Sequence, residues 1–337
     1  MQTILYPPTI DWFYLYQRPQ QLFTAFAKMG CRAVFCNNAH FIPQPAGVRK
    51  LEHNLFLVNR ADPYSIPMEE PPLLWLTYPP HYEIIDRYPH SAVIFDAVDE
   101  PTEEFSHWQE AAAQIIAVSD LVFASSQKII DFYSPHGKPI HLVPNGADFP
   151  HFAKLAIPVE PYDIKRIPHP RICYSGALAR WINWELVEEV ANRHPDYSLV
   201  MVGPALGNQK FPRAPNLYYL GLKPYKLMPS YLHYSDVLII PFRVSSMTQA
   251  CNPIKLWEYL ATGKPIVSTD LPEVANIKEV NIAQNSDQFL SALETALSSG
   301  KDQLSKAKRI EIARHNDWSQ RAREILDIIN QTHDGES

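Results

Sequence analysis

Nowhere in its 337 residues does the chain carry an uninterrupted apolar run approaching the ~20 residues that a membrane-spanning helix needs. An integral helical membrane protein is therefore excluded as a reading. The opening residues, MQTILYPPTIDW, lack the basic start and apolar stretch of a secretory signal, so the chain is expected to stay in the cytoplasm. Cysteine is sparse: Cys31, Cys36, Cys173 and Cys251 form neither a CxxC pair nor a Cys/His metal spacing. That argues for reduced, mostly buried thiols and against a disulfide framework. A basic stripe is also missing. The net charge is −6, with Lys and Arg at 10 against 16 Asp and Glu in residues 1–155, and 20 against 20 in residues 156–337. Nucleic acid is thus not expected as a partner, whereas an anionic small molecule bound by a few local groups fits. Repeats and low-complexity segments are absent too.

What is present is a regular alternation. The composition, 46% hydrophobic and 20% charged, is that of an ordinary globular protein, and the length favours two domains of roughly 150 residues. Short runs rich in β-branched and aromatic residues are predicted strands: Thr3–Tyr6, Ala33–Cys36, Leu55–Val58, Leu73–Thr77, Ala92–Asp96, Leu121–Ala124 and Ile140–Val143 in the first half. Arg171–Ser175, Ser198–Val202, Leu217–Leu220, Val237–Pro241 and Pro265–Ser268 follow in the second. Helical patterns lie between them, most clearly Arg18–Met29, Gln109–Val118, Glu185–Asn192, Pro253–Thr262, Gln288–Leu297 and Trp318–Ile329. Alternating strands and helices imply an α/β fold with parallel sheets covered on both faces. A polar stretch from Phe149 to Pro170, bearing Pro150, Pro158, Pro161, Pro168 and Pro170, reads as the interdomain linker, and Gln331–Ser337 as a frayed end. Two doubly wound domains, each binding ligands beyond the carboxyl ends of its strands, would face a cleft.

The segment Asn252–Pro265, NPIKLWEYLATGKP, reads as one complete helix. Asn252 suits the N-cap, Pro253 the first helical position and Gly263 the C′ position. Its amino end would offer N–H groups and a positive dipole end to a diphosphate, and Lys255 adds a full charge in the first turn. Glu258, three residues on, shares that face and can accept hydrogen bonds from a ribose diol. The bland alternative is an ordinary Lys/Glu pair on a solvated helix.

NPIKLWEYLATGKPIVSTDLPE closely resembles the donor-site helix of GT-B glycosyltransferases, in which a Glu within an EALA.G.PVV pattern holds the ribose of a nucleoside diphosphate sugar. WFYLYQRPQQLFTAFAKMG, VIFDAVDE, SDLVFASSQKI, HLVPNGADFPHF, YSGALARWINWELV, YLGLKPYKLMPSYLHYSDVLIIPF and NDWSQRAREILDII follow the order of the same group 1, family 4-like glycosyltransferases. The likeness covers nearly the whole chain and is greatest to the bacterial branch that builds surface polysaccharides, such as the teichuronic acid glycosyltransferases. It implies a GT-B fold of two Rossmann-like domains: residues 1–155 on the acceptor side, residues 156–315 binding the donor, and a helix over residues 316–331 packing back on the first domain. It also implies a hexosyltransferase-type enzyme that works in cell-envelope polysaccharide biosynthesis. Such an enzyme would pass a sugar, on this reading from a UDP-sugar, to a hydroxyl of a surface polysaccharide or glycolipid precursor. The nucleotide sugar would be a co-substrate, with no separate cofactor.

The resemblance also assigns roles. Lys255 and Asn252 would approach the phosphates and Glu258 the ribose. Main-chain groups near Gly221 and Leu222 would read the base, with Tyr225 and Phe242 nearby, although these two rings read equally well as core. Gly176 and Arg180, in the loop opening the second half, could approach phosphate, and Arg180 could instead be a solvated surface charge. Arg18, in the WFYLYQRP loop, is the one cation there able to reach towards acceptor or donor. Asp99 and Asp96 fall at the carboxyl end of a predicted strand, where one could take the acceptor proton; they could also simply cap the following turn. No metal is expected, because two-domain glycosyltransferases replace it with helix dipole and Lys or Arg. Weak or partner-mediated attachment to the inner membrane face is the most that the acidic first half allows. One departure stands out. The Glu that most retaining members carry eight residues before the ribose Glu is Ala250 here, which leaves the stereochemical outcome open. It also keeps in play a binding subunit without turnover, alongside a nucleotide-sugar 2-epimerase.

Overall fold

The computed structural model describes residues 1–153, 159–208, 210–299 and 302–334. The chain divides into two compact units. The first comprises Met1–Asn145, Ala250–Asn252 and the segment from Trp318; the second comprises Gly146–Gln249 and Pro253–Asp317. The boundary read at residues 155 and 156, Pro158, and residues 335–337 of the expected frayed end lie outside the described residues.

In the first unit the strands are β1 (Thr3–Tyr6), β2 (Arg32–Asn37), β3 (Gly47–Glu52), β4 (Leu55–Asn59), β5 (Leu73–Leu76), β6 (Ala92–Ala97), β7 (Leu121–Ala124) and β8 (His141–Leu142). They form one sheet in the order β3-β4-β2-β1-β5-β6-β7-β8. Every pairing is parallel except that of β3 with β4. The central strands are buried along their length, as their unbroken TILY, LLWL and AVIFDA runs require of strands covered on both faces. β3, GVRKLE, was not predicted. It is an exposed edge with little apolar content, so it carries no hydrophobic signal to read. The helix Arg18–Lys28 packs against Trp318–Asp334, the last described helix of the unit.

The second unit holds β9 (Arg171–Ser175), β10 (Ser198–Val202), β11 (Leu217–Gly221), β12 (Val237–Ile240), β13 (Ile266–Thr269) and β14 (Asn281–Ala283). Their order is β11-β10-β9-β12-β13-β14, all parallel. β14 escaped prediction because NIA is too short to show a period. Within the proline-bearing stretch, Phe149–Phe152 and Tyr162–Lys165 are helical, and Phe152, Ile164 and Ile167 are buried in this unit's core. Both sheets are doubly wound. The strand order reverses between β1 and β5 in the first and between β9 and β12 in the second, and ligands of such sheets bind beyond the carboxyl ends at those points.

Candidate active site

At the reversal point of the second sheet, β9 runs out into Gly176 and β12 into Pro241 and Phe242. The helix Ile254–Thr262 is anchored beside them by Tyr259, whose buried hydroxyl accepts the Ser175 N–H at 2.8 Å. One turn earlier on that helix is Lys255. Its Nζ lies 4.7 Å from the Phe242 ring centroid and 5.3 Å from that of Tyr174, so two π faces hold the ammonium. Gly176, at φ +133°, runs directly beneath it. A Cβ built there would stand 3.1 Å from Lys255 Cε and 3.4 Å from Nζ, in a backbone conformation that L side chains rarely adopt. Gly203, which follows β10, is tighter still, because its Cβ would fall 1.9 Å from the Gly176 carbonyl oxygen. The strand ends thus present bare backbone to a lysine ammonium, the arrangement that lets a diphosphate approach main-chain groups closely.

Glu258 is half-buried on the same helix. Burial pushes its carboxyl up to about 7, Lys255 draws it down, and Asp148 pushes it up further. Asp148 in turn accepts a hydrogen bond from the Tyr225 hydroxyl at 3.2 Å, and the Tyr225 ring stacks on His151 with centroids 4.7 Å apart. Gly221 and Leu222 are exposed at the end of β11, and the Gly221 carbonyl accepts the Gly203 N–H at 3.0 Å. Arg180 is exposed, with no ion pair among the described residues.

The first unit arranges its charged candidates differently. Arg18 and Asp96 are both buried and grip each other: Nε donates to Oδ2 at 2.8 Å and Nη2 to Oδ1 at 2.9 Å. Arg18 Nη1 also donates to Asn145 Oδ1 at 3.2 Å, and the guanidinium sits 5.9 Å from the Trp318 ring centroid. Asn145 then donates through its N–H to Asn252 Oδ1 at 3.2 Å and through Nδ2 to the Asn252 carbonyl at 2.5 Å. Asn252 is therefore engaged with Asn145, and the N-cap of the Ile254–Thr262 helix is Pro253, extended at φ −75° and ψ 120°. Gly263 ends that helix at φ +72°, its N–H bonded to the Leu260 carbonyl at 3.0 Å. Ala250 is buried in the apolar cluster that includes Phe95, Ala97 and Ile129, and its carbonyl accepts the Ser126 hydroxyl at 2.5 Å. A carboxylate in that place would be buried among hydrocarbon. Asp99, just past β6, is half-buried, and burial pushes its carboxyl up to about 6. Among the described residues, no group of three or more His, Cys, Asp or Glu is placed to hold a metal ion, and no helix is long and apolar enough to cross a membrane.

Residues 169–299, the body of the second unit, match the family Glycosyl transferases group 1. The chain is a glycosyltransferase. It is 27% identical over 279 residues to TuaH of Bacillus subtilis (strain 168), named "Putative teichuronic acid biosynthesis glycosyltransferase", covering 75% of this chain and 70% of the relative. Among solved structures it resembles the sucrose-phosphate synthase tll1590 of Thermosynechococcus elongatus, with a TM-score of 0.73, 13% identity, and 99% and 100% of the two chains covered. It also resembles Anabaena Alr3699/HepE, solved in complex with UDP-glucose, with a TM-score of 0.68, 14% identity, and 98% and 100% covered. At such identities these structures speak to the fold, which is GT-B.

In this glycosyltransferase the structure brings Gly176, Phe242, Lys255 and Glu258 together and ties Tyr225 to them through Asp148. It brings Arg18, Asp96 and Asn252 together in a separate buried network centred on Asn145. Asp148, Tyr174, Gly203, Asn145 and Trp318 carried no role in the sequence reading. Gly203 had the one local signal, a glycine directly after the SLVMV strand. The others matter through contacts between residues far apart in the chain.

Proposed function

We propose that the second unit binds a UDP-sugar and that the enzyme passes the sugar to a hydroxyl of a surface polysaccharide or glycolipid precursor held by the first unit. The observation that carries this reading is the Lys255 ammonium laid across Gly176 at the reversal point of the second sheet. As the glycosidic bond to the diphosphate breaks, charge grows on the phosphate oxygens. A fixed ammonium at a helix start stabilises that charge most in the transition state, and it does so without a metal ion. Glu258, one helical turn on, accepts the ribose diol, and those hydrogen bonds favour its ionised form against the burial that raises it. Main chain at Gly221 and Leu222 reads the base beside Tyr225, and Arg180 is free to swing to the phosphates. In the first unit Asp99 takes the acceptor proton, a task suited to a carboxyl held near 6. Arg18, Asp96 and Asn252 position the loops around it through their network. The UDP-glucose held by HepE and the teichuronic acid role in the name of TuaH support donor and acceptor class. A cytoplasmic enzyme at the inner membrane face, meeting a membrane-borne precursor, goes with this reading.

A thermal-shift series over nucleotides and UDP-sugars tests it. A ligand at 100 times its dissociation constant stabilises by about 2.7 kcal/mol. UDP and at least one UDP-sugar should raise the midpoint, and no response to any of them would defeat the proposal.

A further inference from the structure

In the second unit, the loop that leaves β11 is fastened at its start, its tip and its end. It spans residues 221–227 and contains Gly221, Leu222 and Tyr225, to which the proposed function gives the nucleotide base. Gly221 turns the chain at φ +67°, a conformation open to glycine, and its carbonyl accepts the Gly203 N–H at 3.0 Å. Two residues on, Lys223 Nζ stands 2.7 Å from Asp163 Oδ2. The same carboxylate accepts the Tyr231 hydroxyl, at 2.9 Å to Oδ1 and 3.1 Å to Oδ2, and Oδ1 also accepts the Ile164 N–H at 3.0 Å. Tyr231 is buried on the helix Met228–His233 that follows the loop, so Asp163 ties the start of the loop to the element that ends it. The tip is held separately: the Tyr225 hydroxyl donates to Asp148, and the Tyr225 carbonyl accepts from His151 Nε2 at 3.1 Å.

Between these ties lies Leu222. Its side chain is exposed, and among the described residues neither its N–H nor its carbonyl takes a hydrogen bond. The Lys223 and Asp163 side chains, by contrast, are only 21% and 35% exposed, little for an ion pair on a loop. An open main-chain donor and acceptor in a fixed loop make a rigid hydrogen-bonding pattern. Uracil and cytosine meet such a pattern differently: in uracil N3 donates and O4 accepts, whereas in cytosine N3 accepts and N4 donates. A fixed peptide edge pairs with one order and leaves its groups unpaired against the other, while a slack loop adapts to both at the cost of being ordered on binding. We propose that Asp163, through Lys223 and Tyr231, is a positioning residue that fixes the Leu222 main chain and so sets the preference for uracil over cytosine. This rests on the reading of the second unit as a UDP-sugar site. It adds to that reading side chains that act through the loop rather than on the nucleotide.

The test measures dissociation constants of UDP and CDP for the full chain as wild type, Asp163→Asn, Lys223→Met and the double variant. Both substitutions remove a charge at nearly constant shape. The two nucleotides share ribose and diphosphate, so the ratio of their affinities reads the base alone. Wild type should prefer UDP. Each single variant should weaken UDP about two- to fivefold, the scale of a partly exposed ion pair, and CDP by less, so that the preference shrinks. The double variant should bind UDP no more weakly than the weaker single variant, because both changes break one contact. UDP and CDP weakened equally would show a structural role alone and overturn the proposal. So would UDP affinity unchanged in both single variants, losses that add in the double variant, or a wild type that binds UDP without preferring it. A wild type that binds neither nucleotide is a different result: it removes the UDP-sugar reading itself, and this proposal with it.

Discussion

Each unit of this enzyme brings opposite charges to the carboxyl ends of its parallel strands, yet it treats them in opposite ways. In the first, Arg18 spends its planar fork on Asp96 and Asn145, and the charges satisfy one another in a buried, bidentate pair. In the second, Lys255 is held over two rings and a bare glycine, and Glu258 is raised to about 7 because burial outweighs the pull of Lys255. A closed pair fixes loops. A carboxylate still carrying a burial penalty, beside an ammonium on a glycine floor, is poised to improve when a ligand arrives. Residue type and location at a strand end do not separate these cases, whereas the partners each group has already taken do.

The comparison breaks first at Asp99. If it is the proton acceptor, Asp99→Asn should lower kcat by roughly a hundred- to ten-thousandfold while leaving UDP affinity in place. Wild-type kcat/KM should rise with pH through about 6, where the folded carboxyl ionises, and that limb should vanish in the variant. Unaltered turnover would move the base elsewhere.

Next is the closed pair. Arg18→Ala strands a buried Asp96 carboxylate and should destabilise the protein by about 3–5 kcal/mol in urea unfolding. Arg18→Lys should rescue little of this, because an ammonium cannot reproduce the fork. A loss below 1 kcal/mol would show that the network is not holding the first unit together.

A smaller effect separates the second region. Glu258→Gln should weaken UDP by roughly ten- to a hundredfold, the 1.5–3 kcal/mol of a charged hydrogen bond. Stability should move the other way. A folded carboxyl near 7, against an unfolded value near 4.3, contributes stability that is complete below about pH 4 and lost as pH rises through 7. The ligand-free Gln variant should therefore melt higher than wild type at pH 8, an advantage that shrinks at pH 5 and disappears below about pH 4. Equal melting at both pH values would mean the carboxylate is already satisfied. The smallest expected effect is none: excess EDTA should leave turnover unchanged, and activity lost to chelation and restored by Mn²⁺ would contradict the lysine's proposed role.

Much of the fold was legible because its signals are local. Strands buried on both faces must be unbroken apolar runs, as in SLVMV and VLII, and the Lys255–Glu258 spacing follows from helical geometry alone. What escaped was long-range. Asn252 has the sequence signature of a cap, but Asn145, 107 residues away, takes its side chain, and Pro253 becomes the cap. Arg18 and Asp96 look like two separate functional charges until the fold places them, 78 residues apart, within hydrogen-bonding distance. Asp148 has no local pattern at all. Its effect on Glu258 exists only once the ADFPHF segment is packed beside the helix.

The central claim is that Lys255 serves the phosphates and the leaving group. The measurement that tests it most directly compares wild type and Lys255→Ala for dissociation constants of uridine, its monophosphate and its diphosphate, alongside kcat with a UDP-sugar. Uridine affinity should hold within about twofold, and UDP affinity should fall roughly ten- to a hundredfold. The chemical step should fall further than either, because charge on the diphosphate is greatest as the sugar departs. A variant that loses uridine binding as severely as it loses turnover would show that Lys255 supports the base pocket or the helix, and the phosphate assignment would be wrong.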